Sequence, residues 1–181
     1  MTQRHPEIVL GVTGSIAAYK AAELLRLMVK AGWGVSVVMT EAATHFVAPL
    51  TFQTLSQRKV TTTSFTPVEI WMPEHISLAD RADLLVVAPC TANTLAKIAL
   101  GLADDSLTDT VLACRAPKVL APAMNDGMWT NPATQANLAT VRARGITVLD
   151  VGSGDLACGR VGQGRMAEVG TIFDTLRGML K

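Results

Sequence analysis

Residues 8–32, Ile8-Val-Leu-Gly-Val-Thr-Gly-Ser-Ile-Ala-Ala-Tyr-Lys-Ala-Ala-Glu-Leu-Leu-Arg-Leu-Met-Val-Lys-Ala-Gly32, decide the fold. Ile8–Val12 is a short, β-branched apolar run and reads as a buried strand. From Ser15 to Ala31 the period changes. Ile16, Tyr19, Leu24, Leu27 and Met28 fall at spacings that make an apolar helical stripe, and Gly32 supplies the stop. Val35–Met39 is then a second buried run. Strand, helix, strand in this order is the unit of a parallel sheet.

The same alternation continues along the chain. Leu84–Ala88, Val119–Ala121 and Thr147–Leu149 read as further buried strands. Thr91–Leu100, Ser106–Ala113, Ala133–Arg144 and Glu168–Leu180 read as helices, and His45 lies in another helical stretch. No linker, repeat or low-complexity stretch interrupts the pattern. The expectation is a single α/β domain over residues 1–181. It is doubly wound (Rossmann-like, flavodoxin-like), with helices on both faces of a parallel sheet.

Composition narrows the function. The 181 residues carry 16 Lys plus Arg against 15 Asp plus Glu, with no basic stripe, so nucleic acid is a poor partner. No apolar run approaches the ~20 residues of a membrane span, and Met1–Glu7 lacks a secretory apolar core. The three cysteines, at 90, 114 and 158, show no metal-ligand spacing and cannot all pair, which fits a reducing, cytoplasmic setting and no metal. Hydrophobic residues reach 49% with only 4% aromatics, as suits tight layers or buried subunit contacts.

In a doubly wound sheet, ligands bind beyond the carboxyl ends of the strands. Gly11-Val-Thr-Gly-Ser-Ile-Ala17 follows the first strand and opens a helix, a place for an anion, with Gly14 allowing close backbone approach and Ser15 capping or donating. It lacks the Gly-x-Gly-x-x-Gly dinucleotide pattern, and Thr40, not an acid, follows Met39, so a mononucleotide phosphate suits it better than NAD. Pro89-Cys-Thr-Ala-Asn-Thr94 offers Thr91, Asn93 and Thr94 at a second helix start, for capping or for a shared ligand. Pro122-Ala-Met-Asn-Asp-Gly-Met-Trp129 places Asn125 among apolar side chains, where a carboxylate would partner its amide. His75 precedes the helix that leads into Leu84. Finally, Leu156-Ala-Cys-Gly-Arg-Val-Gly-Gln-Gly-Arg-Met166 sets Cys158 in a glycine-rich run, either a plain surface loop or a flap carrying a thiol.

Together these segments resemble the homo-oligomeric flavin-containing cysteine decarboxylase family. Pro89–Thr94 is similar to its Pro-Ala-Ser-Ala-Asn-Thr motif, and Pro122–Trp129 matches every fixed position of Pro-x-Met-Asn-x-x-Met-Trp. Ala157–Met166 resembles the substrate clamp, Ala-Cys-Gly-Asp-x-Gly-x-Gly-Arg-Met, and His75 falls on the active-site histidine. The departures are Arg160 in place of the clamp Asp, Cys90 and Thr91 for Ala and Ser, and Ser77 and Arg81 where relatives often have an acid and a tryptophan.

The resemblance implies FMN as cofactor, held by Gly14, Ser15, Ile16, Thr40, Thr91, Asn93, Thr94 and Ser106. It implies His75, Asn125 and Cys158 as catalytic residues, and Met124, Asn125, Ala157, Gly159, Arg165 and Met166 as substrate contacts in a clamp at about 151–167. The implied reaction is decarboxylation of 4'-phosphopantothenoylcysteine to 4'-phosphopantetheine in coenzyme A biosynthesis, through thioaldehyde and enethiolate. Cys158 would protonate the latter. Relatives form trimers, sometimes dodecamers, and many bacterial members carry a fused ligase domain, so the chain is either stand-alone or excised. Two other readings remain: a peptidyl-cysteine decarboxylase of lantibiotic type, disfavoured by Cys158, and a non-catalytic regulatory flavoprotein.

Overall fold

A computed structural model describes residues 5–65, 73–155, 159 and 161–180. In chain order the elements are β1 (Glu7–Val12), α1 (Ala18–Lys30), β2 (Gly34–Met39), α2 (Glu41–Thr44), α3 (Pro49–Ser56), α4 (Glu74–Arg81), β3 (Leu84–Cys90) and α5 (Ala92–Leu100). There follow α6 (Ser106–Ala113), β4 (Lys118–Pro122), α7 (Asp126–Thr130), α8 (Pro132–Ala143), β5 (Thr147–Val148), β6 (Gly152–Asp155), β7 (Val161–Arg165) and α9 (Val169–Met179).

Strands β1 to β5 form one parallel sheet in the order β2-β1-β3-β4-β5. This is the flavodoxin-like arrangement, and its order reverses between β1 and β3. Alternation along the strands feeds two cores. Ile8, Leu10 and Val12 pack with Leu24, Leu25 and Met28 of α1 and Ile172 and Leu176 of α9. Val9, Leu85 and Val87 face Leu95 of α5, Leu107 of α6 and Leu138 of α8. Each such leucine, fully removed from water, contributes about 1.5–3 kcal/mol. The five expected strands and the α/β class are therefore present.

Three expectations are corrected. The helix does not begin at Ser15. Residues 15–17 form a turn with Ala18 N donating to Ser15 O at 2.9 Å, and α1 starts at Ala18. Ile16 and Tyr19 consequently leave the apolar stripe and are 60% and 56% exposed, and Leu27 is also exposed, because Ala18 and Ala21 let α1 lie close on the sheet. His75 is inside α4, in its first turn, and not ahead of it. Lastly, the glycine-rich segment is no loop on either side of its tip: β6 and β7 pair antiparallel as a small second sheet.

Candidate active site

In a sheet of this order ligands bind in a crevice beyond the strand ends where the order reverses, and Thr13 lies at the floor of that crevice. This hydroxyl, 1% exposed, donates to Pro89 O at 2.7 Å and accepts from Thr91 N at 3.1 Å. It thereby ties the end of β1 to the end of β3. Sequence reading missed Thr13; the signal was a hydroxyl ending an apolar run immediately before Gly14.

Around this tie, two helix starts converge. Thr91 caps α5, its Oγ1 accepting from Thr94 N at 3.3 Å and donating to Thr94 Oγ1 at 3.2 Å, and Thr94 is buried while Asn93 is exposed. On the other side Ser15 is half-buried and accepts from Ala17 N at 3.3 Å. Ala17, the residue capping α1, makes no side-chain cap bond, and in the first turn Ala18 N and Lys20 N donate to Ser15 O at 2.9 Å and Ala17 O at 3.0 Å. Two helix N-termini, with the hydroxyls of Ser15, Thr91 and Thr94 between them, fit the phosphate of a flavin nucleotide. The geometry revises Gly14. A Cβ there would lie 2.5 Å from Ala42 Cβ, so this glycine is demanded by packing against α2.

Thr40 and Ser106 have local duties as well. Thr40 caps α2, accepting from Ala43 N at 3.3 Å, while its own N–H donates to Val12 O at 3.0 Å. Ser106, 2% exposed, begins α6 and meets the hydroxyl of Ser64 at 3.3 Å; Ser64 in turn donates to Asp109 at 2.7 Å. Ser64, unforeseen from sequence, anchors on α6 the segment that leaves the edge of β2, where Thr61 exchanges backbone bonds with Val37 and Met39. The α6 start is reinforced by Asp105, which accepts from Thr108 N and from Lys97. Burial alone would raise the Asp105 carboxyl, but those hydrogen bonds outweigh it and hold it below its usual range.

Past β4, Asn125 caps α7, its Oδ1 accepting from Gly127 N at 2.9 Å. The preceding residue joins this loop to the hairpin: Met124 N donates to Gly164 O at 2.9 Å. Gly164 has φ +133°, and a Cβ there would overlap Met124 O, so only glycine fits. Nearer the hairpin tip, a Cβ on Gly162 would lie 2.9 Å from Asp126 Cβ. Asp126 Oδ1 is buried and finds no hydrogen-bond partner among the described residues. Leaving such a group unpaired costs about 1–3 kcal/mol or more.

Other expected site residues fare differently. Met166 is 2% exposed and belongs to the core beside α1 and α9. Arg165 reaches Glu168 at 3.8 Å and lies across Gly154, strapping the hairpin to itself. Gly159 is exposed with φ +80°. Ala157 and Cys158 lie outside the described residues, as does Arg160. His75 is half-buried, and among the described residues no hydrogen bond joins it to Asn125. Arg81, at the far end of α4, donates to Ser36 Oγ at 2.9 Å, a structural duty on β2.

Cys90 does not compete as a nucleophile: it is fully buried, and desolvation pushes its thiol up to about 12. Among the described residues no group of His, Cys, Asp and Glu is arranged for a metal ion, and no helix is long and apolar enough to cross a membrane.

The likeness to known proteins extends over this whole frame. A bifunctional coenzyme A biosynthesis protein, CoaBC, of Bacillus subtilis is 47% identical over 161 residues, which is 89% of this chain and 40% of that protein. The chain thus spans about 40% of the length of such bifunctional relatives. A probable phosphopantothenoylcysteine decarboxylase of Streptococcus mutans is 44% identical over 176 residues, 96% of this chain and 98% of its own length. Among solved structures, a mutant PPC decarboxylase complexed with pantothenoylaminoethenethiol superposes with TM-score 0.85 at 36% identity, covering 96% of this chain and 97% of that one. The FMN binding protein AtHal3 superposes with TM-score 0.82 at 37% identity over 96% of each chain. The flavoprotein family model matches residues 1–181, and the chain belongs to that family.

Proposed function

We propose that this chain is an FMN-dependent decarboxylase that converts 4'-phosphopantothenoylcysteine to 4'-phosphopantetheine in coenzyme A biosynthesis. The observation that carries the reading is the seating of the hairpin on the Asn125 loop through Met124 and Gly164. It joins two segments, 122–129 and 157–166, that resemble the decarboxylase motifs, through residues 40 positions apart in the chain. The names of the relatives support the same substrate.

FMN, when bound, would supply the two-electron oxidation of the cysteinyl CH2–SH group and return the same electrons at the end. Ser15, Thr91 and Thr94 would hold its phosphate between the starts of α1 and α5, on the frame that Thr13 ties together. Asn125 would orient the carboxylate that leaves as CO2, its side chain held in place by the bond to Gly127 N. His75 would accept the thiol proton, and Cys158 would deliver a proton to carbon in the last step. Overall, an N-acyl cysteine and one proton give CO2 and the corresponding aminoethanethiol amide.

The exposed apolar side chains of Ile16 and Tyr19, at the entry to α1, and of Phe46 and Leu50, at the junction of α2 and α3, suit a homo-oligomer, trimeric or dodecameric, that covers this rim. The setting we assign is the cytoplasm, with or without a fused ligase domain supplying the substrate. The test is mass spectrometry of anaerobic products from 4'-phosphopantothenoylcysteine. The thiol supports the reading. Release of the enethiol alone would indicate a peptidyl-cysteine type of enzyme, and no CO2 from flavin-loaded protein would indicate a regulatory flavoprotein.

A further inference from the structure

The helix that carries His75 is held far more firmly at one end than at the other. A helix between parallel strands runs back from the carboxyl to the amino ends of the sheet. α4 leads into β3, and Asp83 bonds to Glu7 at the start of β1, so the first turn of α4, with His75, lies on the crevice side.

At the amino ends, a closed circuit of hydrogen bonds surrounds the end of α4. Glu7 N donates to Asp83 Oδ2 and Asp83 N donates to Glu7 O, both at 2.8 Å. The Glu7 carboxylate accepts from Arg58 Nη2 at 2.9 Å. Arg58 Nη1 and Arg81 Nη2 then donate to one hydroxyl, Ser36 Oγ, at 3.3 Å and 2.9 Å. Ser36 is 3% exposed, and Arg81 is the last residue of α4, two before Asp83, which closes the circuit.

The start of α4 has no comparable hold. Pro73 caps it without a side-chain bond, and Glu74 meets Lys59 at 3.7 Å through side chains 32% and 52% exposed, a surface pair that fixes little. Of the eight residues, Leu78 and Ala79 are the buried ones. Their burial is non-directional: it keeps the helix on the core without fixing its position along its own axis, which directional bonds do. His75 stands six residues from Arg81, about 9 Å along the axis, so a slide or tilt at the Arg81 end is carried to it.

We infer that Arg81 is a positioning residue for the reaction: its bond to Ser36, within the circuit of Glu7, Arg58 and Asp83, sets where α4 presents His75. This gives a purpose to the departure at 81, where relatives often have a tryptophan. The turnover arm below rests on the decarboxylase reading and on His75 as proton acceptor; the exchange arm does not.

The test uses the full chain with flavin bound, as wild type, Arg81→Gln, Arg81→Lys, Ser36→Ala and Lys59→Ala. Amide exchange of residues 74–82 without substrate should be about tenfold faster in Arg81→Gln and Ser36→Ala. It should stay near wild type in Arg81→Lys, whose ammonium still donates to Ser36. In turnover of 4'-phosphopantothenoylcysteine, Arg81→Gln and Ser36→Ala should each lower kcat per bound flavin about tenfold, with KM within about twofold. The double variant should be no slower than either single one, because both remove the same bond. Arg81→Lys should recover most of the rate, and Lys59→Ala should change little. A circuit that only stabilises the fold would lower thermal stability and leave kcat per bound flavin unchanged, and that result overturns the inference. Unchanged exchange in Arg81→Gln also overturns it, as do losses that multiply in the double variant or an Arg81→Lys rate no better than Arg81→Gln. Where Ser36→Ala fails to fold, the exposed position 81 still carries the test. Exchange that responds as expected in a protein that releases no CO2 even as wild type would sink the proposed function and leave the anchoring of α4 standing.

Discussion

The floor of the cleft and the hairpin above the Asn125 loop are built on opposite terms. At the floor, Thr13 is buried and both of its hydrogen-bonding capacities are used, on Pro89 and Thr91, at the ends of strands made of buried aliphatic residues. The hairpin has little of this. Ser153, Val161, Gln163 and Arg165 are exposed, Val161 by 77%, and its seating depends on glycines fitted against the backbone of Met124 and the side chain of Asp126. In the proposed reading the flavin would sit on the part with many satisfied contacts, and substrate would meet the part with few.

Changes at Gly164 strike that contrast hardest. Gly164→Ala puts a methyl group into Met124 O at an unfavourable φ, so turnover should fall at least ~100-fold while flavin absorbance stays. Loss of the flavin together with activity would mean the two regions are not separable. Next, Cys158→Ser should still release CO2 but accumulate enethiol in place of thiol, read by mass spectrometry; full conversion to thiol would remove Cys158 from the last step.

Thr13→Val attacks the floor instead. It strands Thr91 N–H and Pro89 C=O in a buried place, so thermal unfolding should show a loss of about 2–3 kcal/mol, with weaker flavin retention. A smaller effect is expected from Asp105→Ala, about 1–2 kcal/mol through the cap of α6. The Asp105 carboxyl is depressed in the folded protein. Its contribution should therefore be whole above the unfolded value near ~3.9 and vanish as pH falls through the lower folded value. A wild-type-to-variant difference that instead persists unchanged into stronger acid would remove the ionised carboxylate from that role.

The parts legible in sequence were those governed by local pattern. β1 to β5 are runs of buried aliphatic residues, and α5, α6, α8 and α9 fall within a residue or two of their expected limits, because apolar periodicity and cap residues act over a few positions. β6 and β7 were not legible: Gly-Ser-Gly-Asp and Val-Gly-Gln-Gly-Arg carry neither alternation nor β-branched enrichment, and their pairing answers to the loop beneath them. Ile16 and Tyr19 were misplaced for a related reason. Periodicity assigns a residue to a stripe, whereas the close approach of Ala18 and Ala21 to the sheet decides which side chains are covered.

The sequence by itself therefore determined the α/β class, the five strands of the parallel sheet and the segments to which the chemistry is assigned, since each of these is written in residues close together along the chain. Only the tertiary structure decided that Thr13 locks β1 to β3, that Gly14 serves α2, and that Arg165 and Met166 serve the frame. It alone set Gly162 upon the Asp126 carboxylate. Those outcomes depend largely on contacts between residues 28 to 78 positions apart, or on which face a helix presents, and no local pattern records the space left between them.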